Sequence, residues 1–292
     1  MKPNMFGKNS NSNDLVSNFL NIGFIQGRLS PVINGRIQQF PTNNWKNEIE
    51  IAAKNKFAKM EWTIDSETLN DNPILTSSGQ NLIVEICKLN NFNIPSITCD
   101  YFMENPPWKY NKSNINEIMY KIFEGMVSIG AGLIVIPLVD NSSIRTIEDE
   151  KILRNFFLEL AETIKILNIL ICFESDFEPK KLKSFIEDFP DNNFGINYDI
   201  GNSASLGFNP SEEFSCYGKR ILNVHVKDRK FNGASVPLGE GDADFESVFK
   251  LLNNYEYRGN YILQTARSRD HDHLGVLINY RNMTQSWIHK NG

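Results

Sequence analysis

The chain is predicted to fold as a single (β/α)8 barrel of the α/β class, in which eight parallel strands alternate with helices. Three observations support this fold class. Short apolar runs alternate with segments of helical periodicity from residue 21 onward. Four of these runs end in a polar side chain, at Glu174, Asp199, His225 and Gln264. The length of 292 residues also suits one barrel, which typically takes about 250 residues.

The strands are predicted from short runs rich in β-branched residues and bounded by polar residues. They cover residues 21–26, 59–63, 93–99, 132–139, 169–173, 195–198, 221–226 and 261–264. The helices follow from apolar residues spaced three and four apart. They cover residues 45–57, 78–89, 116–129, 147–167, 179–188, 211–217, 245–252 and 274–288. Thr146 and Asp149 are expected to form a capping box before the fourth helix.

Two domain assignments follow from this alternation. Residues 1–20 are rich in Asn and Ser and have no periodic pattern, so we expect a mobile or capping arm. Residues 21–292 are assigned to the barrel, as the catalytic domain. An open doubly wound sheet would show the same alternation, but no glycine-rich phosphate fingerprint follows any predicted strand. The closed barrel is therefore preferred.

Charge and composition exclude several kinds of partner. The chain has 30 Lys and Arg against 35 Asp and Glu, a net charge of −5, which disfavours a nucleic-acid partner. No apolar run approaches the roughly 20 residues of a membrane span, and the first residues contain no signal-peptide core. The four cysteines are widely separated and are read as reduced thiols. We expect a cytoplasmic protein without a nucleic-acid or membrane partner.

The four polar strand ends are predicted to bind one divalent cation. Barrel closure would bring Glu174, Asp199, His225 and Gln264 together. Two carboxylates in an apolar barrel mouth are costly without a cation. The mixed oxygen and nitrogen donors suit Mn²⁺, Mg²⁺, Co²⁺ or Zn²⁺. Each residue alone could instead satisfy a local hydrogen bond, so the prediction depends on the whole set.

Charged residues in the loops after the strands are predicted to bind a polyol, its phosphate or a carboxylate. The basic ones are Arg28, Lys227, Arg229 and Arg267. Glu240 stands between two glycines on a loop that could cover the site. The alternatives are solvated surface charges and an ordinary turn.

Four motifs lie at the predicted strand ends and in a following loop. They are FES at Glu174, YDIGN at Asp199, HVKD at His225 and PLGEGDADF at residues 237–245. By these motifs the chain resembles the xylose-isomerase-like superfamily of sugar-phosphate isomerases and epimerases, which are TIM barrels. The likeness covers residues 21–289. It is greatest to hexulose-phosphate isomerases, ketose 3-epimerases and pentulose-phosphate epimerases.

The resemblance implies a cation-dependent reaction on a small sugar or sugar phosphate. Glu174, Asp199 and His225 would be cation ligands, and the cation would stabilise an enediolate while carboxylates move protons. Glu174 would then be the base. A homo-oligomer is expected from the resemblance alone.

Two residues depart from the family pattern. The fourth ligand and second acid/base group should be Glu, whereas this chain has Gln264. An amide oxygen can bind a cation, but an amide cannot transfer a proton at neutral pH. Many members have His where this chain has Asn202, which can donate to a substrate hydroxyl but cannot titrate.

Three interpretations of these departures stay open. Glu174 could act as the single base and carry a proton between adjacent carbons. Another carboxylate could replace the missing acid, with Asp228, Glu61 and Asp100 as the alternatives. The barrel could also bind a sugar without converting it.

The leading functional prediction is a divalent-metal-dependent isomerase or epimerase of a small sugar or sugar phosphate. The alternatives are a non-catalytic sugar-binding barrel and a metal-dependent sugar or inosose dehydratase. An apurinic endonuclease ranks last, because it needs more metal ligands and a basic surface. The predicted substrate-binding residues are Arg28, Glu61, Asn202, Lys227, Asp228, Arg229, Glu240 and Arg267.

Overall fold

Eight parallel strands close into a barrel, as the sequence predicts. The computed structural model describes residues 21–32, 35, 36 and 38–291. The predicted arm, residues 1–20, lies outside the described residues. Neighbouring strands in the ring are consecutive barrel strands, and the first pairs with the last to close it. Within the described ranges, no helix combines the length and apolar character needed to cross a membrane.

The barrel strands are β1 (Ile22–Ile25), β2 (Lys59–Ile64), β3 (Asn93–Cys99), β4 (Leu133–Leu138), β5 (Leu170–Ser175), β6 (Phe194–Asp199), β7 (Ile221–Val226) and β10 (Asn260–Leu263). A short antiparallel hairpin follows β7 in the chain. It consists of β8 (Asp228–Arg229) and β9 (Ser235–Val236).

The helices are α1 (Trp45–Lys54), α2 (Ser77–Asn90), α3 (Asp100–Glu104), α4 (Lys112–Ile129), α5 (Ile147–Ile166), α6 (Pro179–Glu187), α7 (Ile200–Leu206), α8 (Pro210–Tyr217), α9 (Phe245–Asn254) and α10 (His273–Asn291). Short 3₁₀ turns lie at Leu69–Asp71, Pro73–Leu75, Asp140–Ser142 and Gly218–Arg220. The predicted capping box of α5 is confirmed, because Thr146 and Asp149 each accept the other's backbone N–H through the side chain.

The structure differs from the prediction at a few elements. β3 and β7 have the predicted bounds, but α4 begins at residue 112 rather than 116, because the Asn111 side chain accepts the N–H of Ser113 at 2.9 Å. The prediction lacks α3, α7 and the hairpin. The two helices span five and seven residues directly after β3 and β6, which is too short for a periodic pattern.

Side-chain alternation along β5 places Glu174 inside the barrel. Phe173 points outward and packs against Phe157 of α5, with ring centroids 5.1 Å apart. Its neighbours therefore point inward, because successive side chains of a strand lie on opposite faces. Cys172 accordingly packs in a small cluster with Leu133 and Val135, separate from the main core. Glu174 lies two residues further along the same inner face.

The HVKD and PLGEGDADF motifs contact each other through Asp228. Its carboxylate accepts backbone N–H groups from Gly239 and Gly241 at 2.8 Å and from Ala243 at 3.2 Å. A Cβ at Gly241 would lie 1.8 Å from Asp228 Oδ1, so this close approach requires glycine. Gly239 has φ of 88°, a left-handed conformation that also favours glycine. The motif pair therefore forms a backbone clamp around one buried carboxylate.

Replacing Gly241 with Ala should destabilise the protein by about 1–3 kcal/mol, because the added methyl overlaps the Asp228 carboxylate. Urea unfolding of both proteins measures the difference. Gly132→Ala is the matched control, since nothing lies within 4 Å of the Cβ added there. Equal loss of stability in the two variants would contradict the clamp.

Candidate active site at the barrel mouth

Three of the four predicted cation ligands converge at the carboxyl ends of neighbouring strands. Glu174 ends β5, Asp199 ends β6 and His225 lies near the end of β7. One donor atom from each lies within 4.8 Å of the others, and all three side chains are buried. Asp199 and His225 are direct register partners across β6 and β7. Barrel closure and strand register thus produce the convergence that the motifs predict.

His225 is fixed through one ring nitrogen, and its other nitrogen faces the carboxylates. Nε2 lies 2.8 Å from Glu61 Oε1. Nδ1 lies 3.1 Å from Glu174 Oε2, within ion-pair distance, and makes no hydrogen bond among the described residues. Burial alone lowers the pKa of His225, but the carboxylates of Glu61 and Glu174 outweigh burial and raise the pKa to about 10.

A buried polar network inside the barrel supports these side chains. Glu61 Oε2 accepts from Ser96 Oγ at 2.8 Å and from Asn223 Nδ2 at 3.0 Å. Asn223 Nδ2 also donates to Asn197 Oδ1 at 2.9 Å. Asn197 Nδ2 in turn donates to Glu174 Oε2 at 2.7 Å. The network therefore links Glu61, beneath the imidazole, to Glu174 at the mouth.

Glu174, Asp199 and His225 fit a divalent cation. The donors are two carboxylates and the buried Nδ1 of His225, from which a bound cation would displace a proton, and this set suits Mn²⁺, Mg²⁺, Co²⁺ or Zn²⁺. Metal-ligating histidines usually have their second nitrogen bonded to a carboxylate or carbonyl, and Glu61 supplies that bond here.

Asn202, at the position where many family members have His, is hydrogen-bonded to Glu174, the predicted base. Its Nδ2 donates to Glu174 Oε1 at 2.7 Å, so both oxygens of Glu174 accept an amide N–H. Its backbone N–H donates to Asp199 Oδ1 at 2.8 Å, which caps α7. Asn202 therefore orients two of the three predicted ligands.

Lys227 joins Gln264, the fourth predicted ligand, to this set. The ammonium Nζ donates to Asp199 Oδ2 and Asn202 Oδ1 at 3.1 Å and to Gln264 Oε1 at 3.3 Å. The Gln264 amide nitrogen donates to Gln38 Oε1 at 3.0 Å. In this structure the Gln264 oxygen accordingly accepts from a cationic side chain.

An open cavity of about 700 Å³ lies over the three strand ends. Six of the predicted site residues line it: Arg28, Glu174, Asn202, Lys227, Arg229 and Gln264. Its described lining does not include the other six, which are Asp199, His225, Glu61, Asp228, Glu240 and Arg267. Glu61 is fully buried beneath His225, and Glu240 is exposed. Asp228 is bonded to the backbone of the PLGEGDADF loop. Arg267 Nη1 donates to the Ser30 carbonyl at 2.6 Å.

The loop after β1 is held by Glu48, a residue that the sequence analysis did not single out. Its carboxylate accepts the N–H groups of Gly27 at 3.0 Å and Leu29 at 2.7 Å, so it fixes the backbone on either side of Arg28. Burial raises the pKa of Glu48 to about 7. Burial, together with the neighbouring Arg267, lowers the pKa of Arg28 to about 9.

Asn197 and Asn223 are further site residues that the motifs alone did not indicate. Each lies two positions before a predicted ligand, Asp199 or His225, on the same strand. Residues at i and i+2 share one face of a strand. A polar residue two positions before a ligand in an apolar run was therefore a usable signal. Gln38, which contacts Gln264, lies in a loop where no such periodicity applies.

Comparison with known proteins agrees with the fold. The sequence model of the xylose isomerase-like TIM barrel family matches residues 49–283. The putative L-ribulose-5-phosphate 3-epimerase SgbU of Escherichia coli strain K12 is 27% identical over 106 residues, which are 34% of this chain and 37% of that protein. The L-ribulose-5-phosphate 3-epimerase UlaE of Shigella boydii serotype 18 is 30% identical over 100 residues, which are 34% and 35% of the two chains. The matched segment spans little more than a third of each relative.

A solved structure described as the IOLI protein with a binding zinc atom matches with a TM-score of 0.71 and 16% identity. The match covers 93% of this chain and 99% of that chain. At this identity the likeness shows the fold alone.

Replacing Glu61 with Gln should weaken Mn²⁺ binding about 10–100-fold, because the carboxylate that orients His225 is lost. Isothermal titration with Mn²⁺ measures the dissociation constant. Glu48→Gln is the matched control, since it removes an equally buried carboxylate that lies in another element, α1. Unchanged affinity in a folded Glu61→Gln protein would show that Glu61 does not support the site.

Proposed function

The chain belongs to the xylose isomerase-like TIM barrel family, and we propose that it is a divalent-cation-dependent isomerase or epimerase of a small sugar or sugar phosphate. One observation carries this proposal. Ligand atoms of Glu174, Asp199 and His225 lie within 4.8 Å of one another, and Glu174 lines a cavity of about 700 Å³, a volume suited to a small-molecule substrate. The similarity to UlaE, an L-ribulose-5-phosphate 3-epimerase, and to SgbU, a putative one, agrees with it.

Glu174 is the proposed base. Asn197 and Asn202 hold its two oxygens from the sides, and the carboxylate lines the cavity. These two hydrogen bonds restrict the side-chain rotamer of Glu174. The carboxylate is thereby positioned to accept a proton from a substrate carbon next to a carbonyl. The electron pair left on that carbon would be shared with the carbonyl as an enediolate.

Glu174, Asp199 and His225 are the proposed cation ligands, with the amide oxygen of Gln264 as the fourth. When bound, the cation would polarise the substrate carbonyl and hydroxyl as a Lewis acid. Lys227 contacts Asp199 and Gln264 together, so it would keep their oxygens close and partly balance the negative charge of Asp199.

The cavity offers cationic groups for a phosphate. Arg36, Arg145 and Arg229 line it together with Lys227. Arg229 donates to Asn202 Oδ1 at 2.8 Å through Nη1 and to the Gly233 carbonyl through Nε and Nη2. These bonds hold Arg229 beside Asn202, which itself donates to Glu174. A ketopentose phosphate is therefore the first substrate class to test.

Substrate contacts by four further residues remain predictions: Glu61, Asp228, Glu240 and Arg267. A cytoplasmic location and a homo-oligomeric assembly also remain predictions.

A sugar-binding barrel that does not convert its ligand is the second candidate. Gln264 cannot transfer a proton, and Lys227 already supplies a positive charge to Asp199 and Gln264. Under this alternative the protein would bind a ketose phosphate yet produce no isomer. Calorimetric binding combined with product analysis of the same samples distinguishes the two.

Replacing Glu174 with Gln should lower turnover about 10²–10⁴-fold, because the amide cannot accept the substrate proton. The turnover is measured by NMR, with Mn²⁺ present, on a panel of ketoses and ketose phosphates that includes L-ribulose 5-phosphate. Glu178→Gln, an exposed carboxylate four residues later, is the control and should keep wild-type activity. Unchanged turnover in Glu174→Gln would remove Glu174 as the base.

A further inference from the structure

A second carboxylate, Asp100, lines the cavity that contains Glu174. Asp100 follows the last residue of β3 and begins α3, so it lies at the same end of the barrel as the cation ligands. It is 8% exposed and borders the cavity alongside Glu174 and Gln264. Its side chain thus reaches substrate space from β3, whereas the family places its second carboxylate on the last barrel strand.

A chain of hydrogen bonds with a fixed direction connects Lys227 to Asp100. An ammonium group only donates, so the Gln264 atom that contacts Lys227 Nζ must be its oxygen. The Gln264 nitrogen therefore donates to the Gln38 oxygen, at 3.0 Å. The Gln38 nitrogen must in turn donate to Asp100 Oδ2, at 2.7 Å. The chemistry of Lys227 sets the orientation of both amides.

This direction depends on an amide at position 264. A carboxylate there would offer Gln38 no N–H, and Gln38 would turn its nitrogen toward it and away from Asp100. We infer that Asp100 is the second proton-transfer residue of the site and takes the role that Gln264 cannot fill. This inference rests on the proposed function. It assigns Gln38 as a positioning residue that orients Asp100.

The surroundings of Asp100 suit a proton donor near neutral pH. Burial raises the pKa of Asp100 to about 7, and the carboxylates of Glu174, Glu104 and Asp65 also raise it. The hydrogen bond from Gln38 opposes this effect. Arg28 is the cationic group that faces Asp100 from the loop after β1. A group that titrates near the working pH is efficient in both directions of proton transfer.

The proposed step is a balanced epimerisation. The substrate C–H bond breaks, its proton passes to the Glu174 carboxylate, and the electron pair enters an enediolate. Asp100 then gives its carboxyl proton to the same carbon from the other side, and a new C–H bond forms. The product has the formula of the substrate. Glu174 and Asp100 return to their starting forms by exchanging protons with water in the open cavity.

The test compares Asp100→Asn with wild type, using L-ribulose 5-phosphate and Mn²⁺ in D₂O. Epimerisation should fall about 10²–10⁴-fold in the variant. Deuterium should still enter the substrate without inversion, because Glu174 can remove and return a proton on one side. Asp71→Asn, an exposed carboxylate in the 3₁₀ turn Leu69–Asp71 and outside the described cavity lining, is the control and should behave as wild type. Mn²⁺ affinity and melting temperature of each variant establish that the fold is kept.

Gln38→Leu tests whether Gln38 positions Asp100. A purely structural role of Gln38 would leave the pH profile of epimerisation unchanged. Loss of its hydrogen bond should raise the pKa of Asp100. Because Asp100 must be protonated to donate, the alkaline limb of the epimerisation profile should shift upward.

Epimerisation by Asp100→Asn within about threefold of wild type would overturn the inference and leave the proposed function standing. Parallel loss of exchange and epimerisation, with Mn²⁺ affinity kept, would also overturn it. A wild type that neither exchanges nor converts any ketose phosphate would overturn both.

Discussion

A single carboxylate buried within the barrel, Glu61, constrains the surrounding structure. It has no access to solvent, and an unpaired buried charge costs several kcal/mol. Its oxygens are bonded to His225, Ser96 and Asn223, which reach it from two other strands. Each partner must point inward at its own strand position, so a register shift of one residue would break the network. The imidazole is thereby oriented with Nδ1 toward Glu174.

The HVKD motif serves two purposes because its residues point in different directions. His225 contributes to the predicted cation site, Lys227 joins Asp199 to Gln264, and Asp228 holds the backbone of the PLGEGDADF loop. The two motifs occur together because Asp228 needs three N–H donors and the loop needs an anchor. The pairing is therefore explained by packing and hydrogen bonding around one carboxylate.

The sequence was sufficient to predict the barrel and the convergence of Glu174, Asp199 and His225, because strand periodicity and parallel order place strand ends together. It could not predict the bonding of Gln264. That depends on Lys227 and on Gln38, from a loop more than 200 residues away in the chain, and no local pattern encodes such a contact. The short helices after β3 and β6 were missed for a related reason, since tertiary contacts rather than periodicity support them.

Mn²⁺ titration of the wild type beside Gln264→Glu tests the central claim, that Glu174, Asp199 and His225 form a working cation site with an amide as the fourth residue. The wild type should bind one Mn²⁺ per chain. Gln264→Glu should bind Mn²⁺ more tightly, because the site gains a negative charge. A folded wild type that binds no Mn²⁺, with binding recovered in Gln264→Glu, would contradict a working cation site and favour a sugar-binding protein without catalysis.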